Sequence, residues 1–301
     1  VRYEIEHSTK LTYGGEIPRS YNQLHLRPLD TDTQRLLRYD LTIEPTATPL
    51  RHTDAFGNVV ESFSIGVPHS RLHVHTRSSV EIIAPIPASD GPDWLTLDRL
   101  RNEGPWFELT LPSRYVDTRA DLAAAKALRK HPTPGIAVRA LAAQIRQRFK
   151  YNVDATYVGR SVRQLLEAEQ GVCQDYAHYF CSVARAAGIP AQYVSGYLAT
   201  TDEVFTAASH AWVEVVWPGG GVLELDPTNG ESQPERRIRV AAGRDYDDVA
   251  PLKGVYFGLG DQKLQVAIEL RTETDRLAAR KPNRRVLARR RVESQAARAQ
   301  Q

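Results

Sequence analysis

Over the first 88 residues, apolar and polar positions alternate instead of recurring every three or four places, the period of half-buried strands. VRYEIEHSTKLTY, YNQLHLRPL, LLRYDLTIEP, NVVESFSI and RLHVHTRSSVEII alternate in this way or are rich in β-branched and aromatic residues. GGEIP and TPLRHTDAFGN punctuate them at the spacing of a sandwich. No strong helical period occurs before residue 115. Pro and Gly then thicken over IAPIPASDGPDW, which reads as a linker at residues 84–95. Residues 1–88 are expected to form an antiparallel β-sandwich domain.

From about residue 118 the period changes. DTRADLAAAKALRK favours helix and HPTPG stops it. Thr133-Pro134 is a good helix start, followed by an apolar stripe through Val138, Leu141, Ala142, Ile145 and Phe149. Ser161 and Gln164 have the spacing of a capping box ahead of a short helix. The next helix is predicted from about Cys173 to Ala187, with Gly188 just past its end and Pro190 two residues on. AQYVSGYLAT, HAWVEVVW and VLELD read as strands, and KLQVAIEL at 263–270 as one more. Strands, then helices, then an antiparallel sheet make the chain α+β, with residues 89–278 as a second unit that includes the last strand.

Composition narrows the class. At 301 residues, 42% apolar and 25% charged, the chain suits two soluble domains. No apolar run reaches the length of a membrane span, and the charged start lacks a signal-peptide core, so a cytoplasmic protein is expected. Residues 280–301 hold eight Lys/Arg against one acid, more than the net charge of +3, so the rest of the chain is net acidic. Residues 279–301 read as a basic, disordered tail, and without interleaved aromatics they argue poorly for nucleic acid. Two cysteines exclude a disulfide framework and a four-cysteine zinc site. There is no calcium-loop pattern, and GGG at 219–221 lacks the Lys-Ser/Thr of a phosphate loop, so no cofactor is expected.

Cys173 stands where a helix begins, so a thiolate there would feel the positive helix end and free backbone N–H groups. A cysteine inside an apolar helix is ordinarily core, and Cys181 fits that description. It lies about 12 Å along the helix from Cys173, too far for a disulfide. His210 opens one strand and Asp226 closes the next. A helix-mounted thiol with a base and an orienting acid on a hairpin is the logic of thiol acyl transfer.

GVCQDYAHYFCSVARAAGIPAQYVSGY resembles the cysteine segment of the transglutaminase-like superfamily, and SHAWVEVVWPGGGVLELDPTN its histidine and aspartate segments. The chain is similar to the bacterial transglutaminase-like cysteine proteases that carry their own N-terminal β region. RHTDAFGNVVESFSIGVPHSRLHV matches that region's D-x-F-G-N and P-H-x-x-L pattern, and GRDYDDVAPLKGVYFG (243–258) resembles the segment after the core. The resemblance covers residues 1 to about 272. It implies a papain-like core, with Cys173, His210 and Asp226 matching the family's nucleophile, base and orienting acid. It also implies a peptide or protein substrate. Two alternatives stay open: transfer of the acyl group to an amine, and an idle binding module. The chain departs from a papain-type oxyanion glutamine, having Glu167 and Ala168 instead. The Cys173 N–H with Tyr151 or Gln174 is the expected oxyanion donor set. Trp212 shares a strand face with His210, where it either walls the cleft or packs.

Other residues carry less. His178 lies about 140° round the helix from Cys173 and cannot share a ligand site with it. Asp175 is expected to cap or pair. His73 and His75 share a strand face without a third ligand. One geometric condition falls on the hairpin. A four-residue loop at 218–221 would oppose Val213 to Asp226 and turn Asp226 to the wrong face. A three-residue loop, Pro218-Gly219-Gly220, would oppose Trp212 to Asp226 and set Asp226 diagonal to His210. An odd-length loop or a bulge is therefore predicted.

Overall fold

Alternation becomes strand in the first half of the chain: every second residue of β1 (Arg2–Ile17) is buried up to Tyr13. The computed structural model describes residues 1–83, 89–154, 159–199, 208–230, 234–258 and 261–272. After β1 come β2 (Arg19–Leu24), β3 (Gln34–Glu44), β4 (Leu50–Thr53), β5 (Val59–Ile65) and β6 (His69–Ile82). They are followed by α1 (Trp94–Leu100), α2 (Leu122–Leu128), α3 (Pro134–Arg148), β7 (Lys150–Tyr151), α4 (Val162–Ala168), β8 (Gln170–Gly171) and α5 (Cys173–Ala186). The chain continues with β9 (Ala191–Leu198), β10 (Ala208–Val216), β11 (Val222–Leu225), β12 (Arg237–Gly243), α6 (Tyr246–Val249), β13 (Leu252–Phe257) and β14 (Gln262–Thr272).

Three four-stranded antiparallel sheets result, in the orders β14-β1-β6-β3, β13-β2-β5-β4 and β11-β10-β9-β12. The first two share an apolar cluster that includes Leu11, Leu24, Ile43, Phe63, Leu72 and Val74. The third is the core sheet, against which α5 packs. One expectation is corrected here. The strand read at 263–270 does not belong to the core: β14 pairs along the length of β1, from Tyr3 with Thr272 to Tyr13 with Gln262. β13 likewise pairs with β2. The two-sheet domain is thus completed by strands that follow the core, a long-range pairing that local periodicity does not encode.

Helix starts follow their local chemistry. Thr133 accepts from the Ile136 N–H with Pro134 in the first turn of α3, and Ser161 and Gln164 make the reciprocal capping box of α4. α1 begins inside the expected linker, whose residues 84–88 lie outside the described residues. At seven residues α1 is too short to show a period. α5 buries more than the single stripe expected, because helices cover the side away from the sheet: Asp175 to Arg185 are all buried. Its buried arginine is satisfied by backbone carbonyls. Arg185 donates to the carbonyls of Ala191 (2.8 Å), Leu111 (3.0 Å) and Arg244, tying α5 to three other segments.

The outer edge of β12 is closed by two side-chain amides from the N-terminal domain. Gln34 Nε2 donates to the Arg239 carbonyl (2.9 Å) and its Oε1 accepts from the Arg239 N–H (2.8 Å). Asn58 does the same at Ala242, at 2.7 and 2.8 Å. Each amide supplies the donor and acceptor that a neighbouring strand would offer.

Candidate active site

Cys173 takes its place from the tight approach into α5. β7 and β8 pair Tyr151 with Gly171, holding the chain just before the helix. The Asp175 carboxylate turns back and accepts from the Val172 N–H at 2.9 Å, with Arg160 at 3.9 Å, both side chains buried. A Cβ at Gly171 would stand 2.7 Å from Asp175 Oδ2 and 2.9 Å from Leu165 Cδ1, so only glycine lets this carboxylate reach the helix end. Asp175 thus caps and pairs, as expected. With the Val172 N–H taken, the first-turn N–H groups of Cys173 and Gln174 have no acceptor among the described residues. They form a positive end beside the half-buried sulfur.

His210 and Asp226 meet across the β10–β11 hairpin. Val213 pairs with Leu225 and Val216 with Val222, which sets Trp212 opposite Asp226. The loop is closed by the Trp217 N–H on the Gly221 carbonyl (3.0 Å), leaving Pro218-Gly219-Gly220 as the three-residue connection. Gly219 and Gly220 have φ of 93° and 113°, conformations that side chains resist. The predicted register is the one found. His210 Nε2 then lies 2.8 Å from Asp226 Oδ2.

The carboxylate is fully engaged. Asp226 Oδ1 accepts from the backbone N–H groups of Thr228 (2.9 Å) and Asn229 (3.0 Å). Oδ2 accepts from His210 and from the Asn229 side-chain amide (3.1 Å). Burial would raise the pKa of Asp226, but the hydrogen bond and charge of His210, with the donors of Asn229, hold it below 3.8. For His210, burial would lower the pKa. Hydrogen bonds and charge from Asp226 and Cys173 outweigh it and raise the value from 6.5 to about 10. Since Nε2 is committed to Asp226, Nδ1 is the nitrogen left to face the sulfur.

The remaining candidates separate. Trp212 is fully buried with Val194 and Ala242, and its ring stacks on His210 at 6.0 Å and 25°. It packs beneath the imidazole and does not wall an open cleft. Tyr151 is half exposed, two residues of pairing away from Cys173, with its ring edge-on to Tyr176 at 6.2 Å. Gln174 is partly buried in the first turn of α5. Asn229 escaped the sequence reading; its position three residues after Asp226 in D-P-T-N-G, an Asx-turn pattern, was the available clue.

The other cysteine and histidines have structural surroundings. Cys181 is buried, and burial pushes its thiol up to about 11. His178 is buried between Tyr115 and Tyr193 and accepts from the Tyr246 N–H at 3.2 Å. Burial lowers its pKa to about 3. His73 and His75 face Glu44 and Glu6 at 3.7 and 3.9 Å. Among the described residues no cluster could hold a metal ion, and no helix is long and apolar enough to cross a membrane. The basic residues 280–301 lie outside the described residues.

Comparison with known proteins agrees with this architecture. The profile of the transglutaminase-like superfamily matches residues 122–227, a span that holds Cys173, His210 and Asp226. That of the bacterial transglutaminase-like N-terminal region matches residues 3–81. An uncharacterized protein of Mycobacterium leprae is 34% identical over 275 residues, 89% of this chain and 98% of its own. A protein-glutamine gamma-glutamyltransferase of Pseudomonas aeruginosa is 29% identical over 245 residues, 74% of this chain and 35% of its own. Among solved structures, a proposed cysteine protease from Cytophaga hutchinsonii shares the fold, with a TM-score of 0.72, 19% identity and 90% of each chain covered.

Proposed function

Because the chain belongs to the transglutaminase-like superfamily, we propose that it is a thiol acyl-transfer enzyme that opens peptide or carboxamide bonds through Cys173, His210 and Asp226. One observation carries the reading: His210 Nε2 is hydrogen-bonded to Asp226 at 2.8 Å, and the Asp226 and Cys173 side chains together raise its pKa to about 10. An imidazolium held in that way is placed to give its proton to a leaving group.

The steps follow from the placement of the groups. The Cys173 sulfur attacks the carbonyl carbon, and the oxyanion that develops meets the free N–H groups at the start of α5. His210 gives its proton to the leaving amine as the C–N bond breaks, which leaves a thioester and a neutral imidazole. The imidazole takes a proton from water, the hydroxide adds to the thioester, and the acid departs with the sulfur again a thiolate. Asp226 holds the ring in the tautomer that serves both transfers. A peptide or protein is the proposed substrate, and water the proposed acceptor.

A second reading replaces water with an amine. It is supported by the similarity to the Pseudomonas aeruginosa gamma-glutamyltransferase. Intact-mass measurement with acyl-donor peptides separates the cases. The wild type should gain an acyl mass that Cys173→Ala does not. Release by added amines faster than by water would favour transamidation. No adduct on the wild type, or an equal adduct on Cys173→Ala, would overturn both.

A further inference from the structure

The D-x-F-G-N motif of the N-terminal domain forms a built device. Asp54 Oδ1 accepts from the N–H groups of Phe56 and Asn58, both at 2.9 Å, and its Oδ2 accepts from the Asn58 amide at 2.8 Å. The turn therefore delivers a buried, pre-oriented amide, whose remaining donor and acceptor grip Ala242 of β12.

Ala242 begins a row across the core sheet. It pairs with Val194 of β9, Val194 pairs with Trp212 of β10, and the hairpin register sets Trp212 opposite Asp226. Residues opposed in a sheet share a face. Val194, Trp212 and Ala242 form a closed buried cluster, and the Trp212 ring stacks on His210. β12 is also irregular, its pairing with β9 shifting between Arg239 and Ala241. Gln34 and Asn58 grip the strand on either side of that shift, at Arg239 and Ala242. A slip of one residue there would turn the Ala242 side chain to the opposite face.

We propose that Asn58 is a positioning residue for the reacting pair: by locking Ala242 it fixes the row Ala242–Val194–Trp212 that supports the His210 ring against Asp226. The N-terminal domain would then be part of the catalytic unit and not an appended module. The proposal rests on Cys173 and His210 being the reacting groups.

Two measurements on the full chain test it, both below the unfolding temperature of each variant. The first is the titration of the His210 ring C–H by NMR, assigned by difference from His210→Asn. The wild type should titrate near 10, and Asn58→Ala should move the midpoint down toward 6.5. The second is the rate of acyl-enzyme formation. Asn58→Ala should slow it about 10- to 100-fold, the size of effect that small misplacements of reacting groups produce. Combined with Trp212→Phe the losses should be less than multiplicative, because both act through one row. If Asn58→Ala does not fold, Asp54→Asn, which keeps the amide and loosens its anchor, should shift the midpoint in the same direction. An unchanged His210 midpoint in the folded variant, or multiplicative losses, would overturn the proposal. A wild type that titrates as stated but forms no acyl-enzyme would instead defeat the functional reading.

Discussion

His210 and Asp226 stand diagonally across a hairpin, their side chains joined at 2.8 Å because the connecting loop has three residues. An even loop would have turned the carboxylate to the opposite face. The geometry of this pair depends on the parity of a turn, and the glycines at 219 and 220 are what permit that turn.

Asp226→Asn removes the negative charge and leaves the volume. The fold should persist, since both backbone donors still meet a carbonyl-type oxygen. The imidazolium loses its partner, and acyl-enzyme formation should fall by roughly three to four orders of magnitude. Thermal unfolding together with intact-mass kinetics checks both halves.

Asn229→Ala takes one donor from Asp226 Oδ2. The pKa of Asp226 is depressed in the folded protein, so its contribution is present at neutral pH and is lost as the pH falls through that value. With a donor removed, the value rises. The acid limb of the rate profile should therefore move to higher pH, with little change on the alkaline side.

The two cysteines should separate in labelling. Iodoacetamide should modify half-exposed Cys173 in the native protein while Cys181, buried and with its pKa pushed up to about 11, stays unmodified at neutral pH. Both should react in denaturant. Peptide mapping distinguishes them, and native labelling of Cys181 would contradict its burial.

His178 and His7 are buried neutral, with values lowered by burial to about 3 and about 4. Unfolded, each takes up a proton near 6.5, so the unfolded state binds more protons over that interval. Stability should fall as the pH drops from about 6.5 toward 3. His178→Phe should flatten the slope of unfolding temperature against pH on the acid side, even where it lowers the temperature itself. An unaltered slope would show that this imidazole does not resist protonation.

Gly171→Ala should lower stability by about 1–3 kcal/mol, as overpacking does. It should also displace the Asp175 carboxylate from the Val172 N–H. The same change should slow acylation, because the turn that presents Cys173 is disturbed. Calorimetry and single-turnover kinetics read the two effects separately.

Much of this was legible because its causes are local. Thr133-Pro134 and Ser161…Gln164 announce helix starts through neighbours three residues away. The alternation of β10 and the glycines after Trp217 sufficed to say which loop length a His210–Asp226 pair requires. Other features depend on distant partners. β12 is recognised by two amides from Gln34 and Asn58, and its register shifts midway, so no period marks it. α1 has one buried residue, Leu97, and hence no stripe. Asn229 is an ordinary turn residue until Asp226 folds back on it. The burial of α5 on all sides follows from helices whose packing no single segment predicts.

The last described strand lies on the first: β14 pairs with β1, and β13 with β2. The segment bearing Cys173, His210 and Asp226 is thus an insertion between two parts of a domain that cannot close without both. During synthesis the core emerges while the outer sheets still lack an edge strand each, and contacts of such long sequence separation form late. Since Gln34 and Asn58 belong to the domain that waits, the edge of β12 stays open until that closure is possible. A newly made chain would therefore hold Cys173 in a folded helix before His210 is firmly seated. On the proposed function, reactivity would arrive as the final event of folding.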